Sequence, residues 1–392
     1  MLNTIIMRKI LVWAAAMFAA VLGAAAQGGA SKGSAAGQGA GTMQGAAGSI
    51  GQAEQNGAQQ GFKGSENQEE AEWMHYYDQL AKQMDDILWY EKIGDLAYID
   101  KVYLYGEPPA KQGSPTSRGY GNPLKFWNYI FIPKNIDVHK KYPLIVFPHS
   151  GVHADMTTYY AHIVRELIAQ GYVIVSTEYR GSTGYGEAFY KKIDYGGREN
   201  SDVKVGRDYM IENYSFVDST RVGIMGWSHG GMITLMNLFN YPTAYKCGFA
   251  GVPVSDLLIR MGIADDDYRA LFSAPYHLGV TVSQDVAEYK KRSPAWNASK
   301  LQTPLLIHTN TADDDVDVSE VQHLIQALKA NGKTFEYKIF EKAPGGHSFD
   351  RLDTRGANEI RLSIYQFMAR YLSPAHPFKS VDDLREAAYR FN

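Results

Sequence analysis

The chain is 392 residues long, carries a formal net charge of −3 and is 45% hydrophobic, which is enough to bury a substantial core. Its 39 Lys and Arg are set against 42 Asp and Glu without a dense basic cluster, so nucleic acid is not an expected partner. The only cysteine is Cys247, which excludes a disulfide framework; inside the apolar run 247–252 it reads as a small core residue.

Arg8 and Lys9 precede the apolar run 10–23, and Ala24, Ala25 and Ala26 follow it. That order predicts a secretory signal peptide over residues 1–26, with Gln27 opening an exported chain, periplasmic or extracellular. The apolar run is short for an uncleaved anchor, and no later stretch is apolar enough to span a bilayer. Residues 27–66 are Gly, Ala, Gln and Ser with few large apolar side chains, and are expected to form a flexible tether. Over residues 67–98 the pattern changes. Trp73, Tyr76, Tyr77, Leu80, Met84, Ile87 and Leu88 recur at helical spacing and predict one amphipathic helix packed on the main domain.

From 99 to 375, short apolar runs alternate with helical patterns, which implies an α/β fold with a mostly parallel sheet covered on both faces. Eight strands are predicted, at 101–105, 129–132, 144–147, 173–177, 222–225, 248–252, 305–309 and 335–340. Helices are predicted at 158–170, 201–213, 229–240, 318–331 and 357–371. Residues 256–301 interrupt this rhythm and are expected to form a small helical cap. The tail 376–392 carries one short helix, opened by Ser380 with Asp383 three residues on, a capping-box pattern.

The run from Val222 to Met225 leads into Gly226-Trp227-Ser228-His229-Gly230, and a helical stretch follows. Strand, tight turn and helix around G-x-S-x-G form the pattern that lifts a serine hydroxyl out of a sheet. Such a serine needs a base within reach and an acid to orient the base. His347, in the loop after the last strand, is flanked by Gly345 and Gly346 on one side and Ser348 on the other, a poor place for a core histidine. It is the expected general base. The rivals fit less well: His277 lies in the cap, His323 in mid-helix, and His308 in a strand before the acidic loop. That loop, after the strand 305–309, carries Asp313, Asp314, Asp315 and Asp317, and periodicity does not separate the first three. Two backbone donors are expected to face the developing oxyanion. One is the N–H of His229, and the other that of Gly151 in the loop Pro148 to His153. His149 and His153 lack a nearby third ligand, so neither a metal nor another cofactor is expected.

Tyr179-Arg180-Gly181-Ser182-Thr183-Gly184-Tyr185-Gly186, with Phe189 close behind, resembles a signature of the prolyl oligopeptidase family of serine peptidases. Gly226 to Gly231 resembles that family's elbow, and Gly346-His347 its histidine loop. The likeness spans about residues 142 to 372 and implies an α/β-hydrolase fold, with Ser228 as nucleophile and His347 as base. It also implies Asp313 as the acid, because the family places its aspartate three residues before a valine, here Val316. The spacing from His308 to Asp313 is one residue longer than usual, and the frequent His-Gly-Gly-Pro-His loop reads here as His149-Ser150-Gly151-Val152-His153. Only a tether, one helix and two strands precede the catalytic core, where well-known members carry a long β-propeller, so an open site is expected. The expected function is that of an exported serine hydrolase acting on a peptide or ester substrate through an acyl-enzyme. Carboxylesterase action on small or acylated-sugar esters is the alternative, and a non-catalytic binding protein of the same fold is the second. The oligomeric state is not legible.

Overall fold

The structure is a computed structural model that describes residues 68–388, so the predicted signal peptide and tether lie outside the described residues. Among the described residues, no helix is long and apolar enough to cross a membrane.

Eight strands form one sheet in the order β1-β2-β4-β3-β5-β6-β7-β8. They are β1 (Ala97–Gly106), β2 (Leu124–Pro133), β3 (Tyr142–Val146), β4 (Val173–Thr177), β5 (Val217–Trp227), β6 (Cys247–Gly251), β7 (Leu305–Asn310) and β8 (Glu336–Phe340). β1 pairs antiparallel with β2, and β2 with β4, while every pairing from β4 through β8 is parallel. The chain leaves β3 for β4 on one side and continues through β5 on the other. The reversal opens a crevice at the carboxyl ends of β3 and β5, the usual place for a ligand in such a sheet.

The helices are α1 (Gln68–Ile93), α2 (Ala161–Ala169), α3 (Glu187–Tyr190), α4 (Glu199–Asn213), α5 (His229–Asn240), α6 (Leu257–Ile263), α7 (Asp266–Ser273), α8 (Val286–Arg292), α9 (Val318–Ala330), α10 (Arg355–Leu372) and α11 (Val381–Glu386). Two apolar clusters fill the faces of the sheet. One joins Val146, Val175, Ile224 and Ile307 to α4, α5 and α9; the other joins Ile145, Ile174, Met225 and Phe249 to α2 and α10. Alternate residues of one strand enter opposite clusters, as the two-residue period of a strand requires. This is the expected α/β-hydrolase fold. Cys247 is buried in the second cluster and forms no disulfide. In α11 the Ser380 hydroxyl and the Asp383 carboxylate cap each other's backbone N–H.

Some elements are longer than their apolar signals. β1 and β2 pair in register from Ala97↔Pro133 to Gly106↔Leu124, well beyond the predicted 101–105 and 129–132. β5 begins five residues before the predicted 222, because Val217 joins Tyr142 of β3 ahead of a register shift.

Helix α1 forms where its periodicity predicts it, but the predicted packing face is reversed. Trp73, Tyr76, Tyr77, Leu80, Met84 and Ile87 are exposed. The docked side is instead His75, Lys82, Trp89 and Ile93. Lys82 places its ammonium 2.7 Å from Asp155 and 2.9 Å from Glu178. Asp85 accepts from both the backbone N–H and the hydroxyl of Thr158, and Asp86 pairs with Lys101. Ionic contacts and two apolar anchors hold this helix, and they outweigh the burial that its opposite stripe forgoes.

Candidate active site

Four strand ends converge on one cavity. The loop after β3 brings Ser150 and Gly151, the end of β5 brings Ser228, and the loops after β7 and β8 bring Asp315 and His347. Helices α6 and α7, from the segment predicted as a cap, add Arg260, Tyr268 and Phe272 to the wall.

Ser228 has φ 56° and ψ −123°, a backbone conformation that L-residues rarely adopt and that the surroundings must hold in place. Its N–H donates to the Gly251 carbonyl at 2.9 Å, and its carbonyl accepts from Met232 and Val254. A Cβ at Gly230 would lie 2.4 Å from the Pro148 carbonyl oxygen, so only glycine lets α5 approach the loop after β3 so closely. His229 is the first residue of α5, where a helix leaves its N–H groups without intrahelical acceptors. Its ring is buried and lies 3.7 Å from Glu199. Burial holds the ring well below the usual histidine pKa, so it is neutral.

His347 directs Nδ1 at Asp313, 2.9 and 2.8 Å from the two carboxylate oxygens. Donation from Nδ1 leaves Nε2 as the acceptor nitrogen. Asp313 Oδ1 also accepts from the N–H groups of Asp315 and Val316 at 2.9 Å each, which anchors the carboxylate from its own loop. Asp314 bonds instead to the His347 N–H, at 3.3 Å. Asp315 pairs with Arg260 at 2.8 Å and stands 3.8 Å from His347 Nε2. Burial acts to raise the Asp315 carboxyl, but His347 and Arg260 outweigh it and hold its pKa below the ordinary value. Asp317 caps α9 through the Ser319 N–H.

Gly151 has φ 78°, the left-handed region that favours glycine. The loop that carries it is fixed by the Tyr179–Gly186 segment. The Tyr179 hydroxyl donates to the Gly151 carbonyl, and the Tyr179 ring stacks on His149 with 4.1 Å between centroids. Ser182 Oγ lies 3.0 Å from His149 Nε2, and the Gly181 carbonyl 2.8 Å from His153 Nδ1. Arg180 ties the segment to α4 through a buried pair with Asp202 at 2.7 Å. The two histidines are therefore loop fasteners, and burial lowers their pKa values to about 4 and about 3. Among the described residues, no group of three or more His, Cys, Asp or Glu could hold a metal ion.

Of the rival histidines, His277 is buried with Nε2 2.7 Å from His153 Nε2, and His323 pairs with Asp256. His308 sits inside β7, buried, with a pKa lowered to about 3 by burial. None of these contacts involves Ser228.

Several positioning residues carried no sequence signal. Asn310 donates to the carbonyls of Ala343 and Gly346 and accepts from the Ala343 N–H, which clamps the histidine loop to β7. The Trp227 indole donates to Asp350 at 2.8 Å, and Arg351 donates to the His347 carbonyl and to Ser150 Oγ. Each partner lies more than thirty residues away or inside an irregular loop, where periodicity has no reach.

A buried serine on a strand-to-helix turn, and a histidine with its carboxylate on later loops of the same parallel sheet, define an α/β-hydrolase. The family model "Prolyl oligopeptidase family" matches residues 158–375. The chain belongs to that family. It is 30% identical over 225 residues to the uncharacterized peptidase YuxL of Bacillus subtilis (strain 168), covering 57% of this chain and 33% of the relative. It is 26% identical over 255 residues to the acylamino-acid-releasing enzyme of Arabidopsis thaliana, covering 64% of this chain and 33% of that one. The fold is shared with the Pyrococcus horikoshii acylaminoacyl peptidase, at TM-score 0.57 and 22% identity over 75% of this chain and 45% of that one. The chain spans about a third of the length of the curated relatives it matches.

Proposed function

We propose that this chain is an exported serine peptidase working through Ser228, His347 and Asp313. Ser228 Oγ attacks the acyl carbonyl while His347 Nε2 takes its proton, and Asp313 holds the ring and balances the imidazolium. The N–H groups of His229 and Gly151 receive the oxyanion. The imidazolium then gives its proton to the leaving amine. Water, deprotonated by the same nitrogen, attacks the acyl-enzyme and releases the acid and the free serine.

The observation that carries this reading is the 2.8 Å contact between His347 Nδ1 and Asp313, with His347 and Ser228 lining one cavity. Tyr160, Tyr268 and Phe272 give that cavity an aromatic wall suited to an apolar residue on the acyl side of the bond. Peptides are favoured over esters because the relatives named above are peptidases and an acylamino-acid-releasing enzyme. Export is favoured by the charged, apolar and small-residue order of residues 8–26.

A fluorophosphonate probe is expected to label the purified chain at Ser228 and to leave Ser228→Ala unlabelled. No labelling, beside a labelled serine hydrolase in the same assay, would favour a binding protein. Peptide anilides with an apolar residue before the scissile bond should be cleaved with higher kcat/KM than short nitrophenyl esters. The opposite order would make the chain an esterase.

A further inference from the structure

The outward face of α1 takes no part in the proposed hydrolysis. Trp73, Tyr77, Leu80, Met84 and Ile87 are 61%, 63%, 48%, 59% and 71% exposed. They follow one another at alternating steps of four and three, the spacing of a helix-pairing seam. Tyr76, Leu88 and Tyr90 flank this seam, and every exposed residue from Trp73 to Tyr90 is uncharged. A helix whose apolar stripe served only its own domain would turn it inwards. Here buried Lys82, Trp89 and Ile93 fix the helix so that it cannot.

We propose that this face binds a second copy of the chain, as an antiparallel helix pair with its two-fold axis at Leu80. The stripe is nearly symmetric about that residue, with Trp73 and Ile87 seven positions to either side, Tyr77 three before and Met84 four after. An axis there sets Trp73 against Ile87 of the other copy and Tyr77 against its Met84, with the two Leu80 side chains meeting at the centre. Bulky rings thus oppose narrower aliphatic chains. The antiparallel sense places the acidic first turn beside the net-neutral end that carries Glu91 and Lys92. A parallel pair would stack the acidic turns on each other.

The area is sufficient. Four aromatic side chains of about 150–250 Å² each, largely exposed, together with the aliphatic ones offer roughly 1,000 Å² per copy, against about 800 Å² in an ordinary stable interface. The chain's own segment 27–66 is a poor cover, since Met43, Ile50 and Phe62 are its only large apolar residues. A membrane surface fits less well, because interfacial helices flank their apolar face with Lys and Arg and this one starts with glutamates.

Light scattering on the size-fractionated chain, from about 1 to about 100 µM, is expected to give a dimer. Leu80→Glu combined with Met84→Glu should weaken association at least about 100-fold and leave hydrolysis per chain unchanged. Leu80→Cys should give a disulfide-linked dimer on mild oxidation, because the native cysteine is buried. Trp73→Cys should not, since its counterpart lies across the pair. A monomer throughout the range, a dimer that survives the double substitution, or cross-linking by Trp73→Cys but not Leu80→Cys would overturn the proposal. So would a monomeric chain that sediments with phosphatidylglycerol vesicles.

Discussion

Ser228 occupies a backbone conformation with a positive φ that its neighbours impose, and its hydroxyl is the one group that the proposed chemistry cannot replace. Ser228→Ala keeps the Cβ and the turn, so turnover should fall by about 10⁴–10⁶-fold with the melting temperature nearly unchanged. Activity near that of the unaltered chain would remove the mechanism. The aspartates are separable in the same way. Asp313→Asn, which can set an amide donor where His347 Nδ1–H needs an acceptor, should cost about 10³–10⁴-fold in kcat. Asp314→Asn keeps an oxygen that can accept from the His347 N–H and should cost less than about tenfold. Steady-state kinetics on the two purified variants decides between them. Equal losses would mean that the contact with Nδ1 is not the one that matters.

At the scale of elements, α1 depends on a single buried cation. Lys82 faces Asp155, Glu178 and the Met156 carbonyl, and burial disfavours its charge less than the two carboxylates favour it. Lys82→Met would leave the buried Glu178 and the part-buried Asp155 without their partner and should cost about 3–5 kcal/mol, read from the urea midpoint. An unchanged midpoint would mean that Trp89, Ile93, Asp85 and Asp86 hold the helix without Lys82. The same helix shows where sequence reasoning stops. Its periodicity reveals an apolar stripe but not which side meets the domain, since Asp155, Thr158 and Glu178 lie more than seventy residues further along. The elbow was legible because strand, turn and helix are contiguous, and α5 begins and ends where predicted. Inner strands such as β4 were legible from β-branched runs. The full β1–β2 ladder was not, because pairs that reach beyond the predicted segments, such as Val102↔Asn128 and Tyr105↔Lys125, mix polar and apolar residues. The choice among Asp313, Asp314 and Asp315 needed the folded loop, where three adjacent carboxylates take three different partners.

For the whole molecule, the buried histidines set the acid limit. His149, His153 and His308 titrate at about 4, about 3 and about 3, and His229 lies well below its ordinary value, all through burial. The unfolded chain binds protons at these rings near pH 6.5 while the folded one does not. Stability is therefore present above that pH and is lost as pH falls, by up to about 1.4 kcal/mol per unit for each ring. Glu199 works in the opposite sense. Burial raises its pKa to about 8, so above the ordinary glutamate value the folded state holds a proton that the unfolded state has released. Its contribution declines as pH rises through that window. Glu178 and Asp78, raised by burial to about 7 and about 6, act in the same sense as Glu199, while His75, His162 and His277 are lowered like the four rings. The seven lowered rings outnumber these three carboxyls between pH 4 and 6.5, so the melting temperature should drop there as pH falls, and should decline gently as pH rises from 6.5 to 8. A flat profile on the acid side would contradict the buried, neutral rings.

The bond from the Trp227 indole to Asp350 joins the residue before the candidate nucleophile to the loop that carries His347. An indole held against a buried carboxylate emits at a wavelength that depends on that contact. Detachment of the histidine loop should therefore change the intrinsic fluorescence. The change should vanish in Trp227→Phe, so the molecule carries its own optical gauge of whether the two halves of its chemistry are assembled.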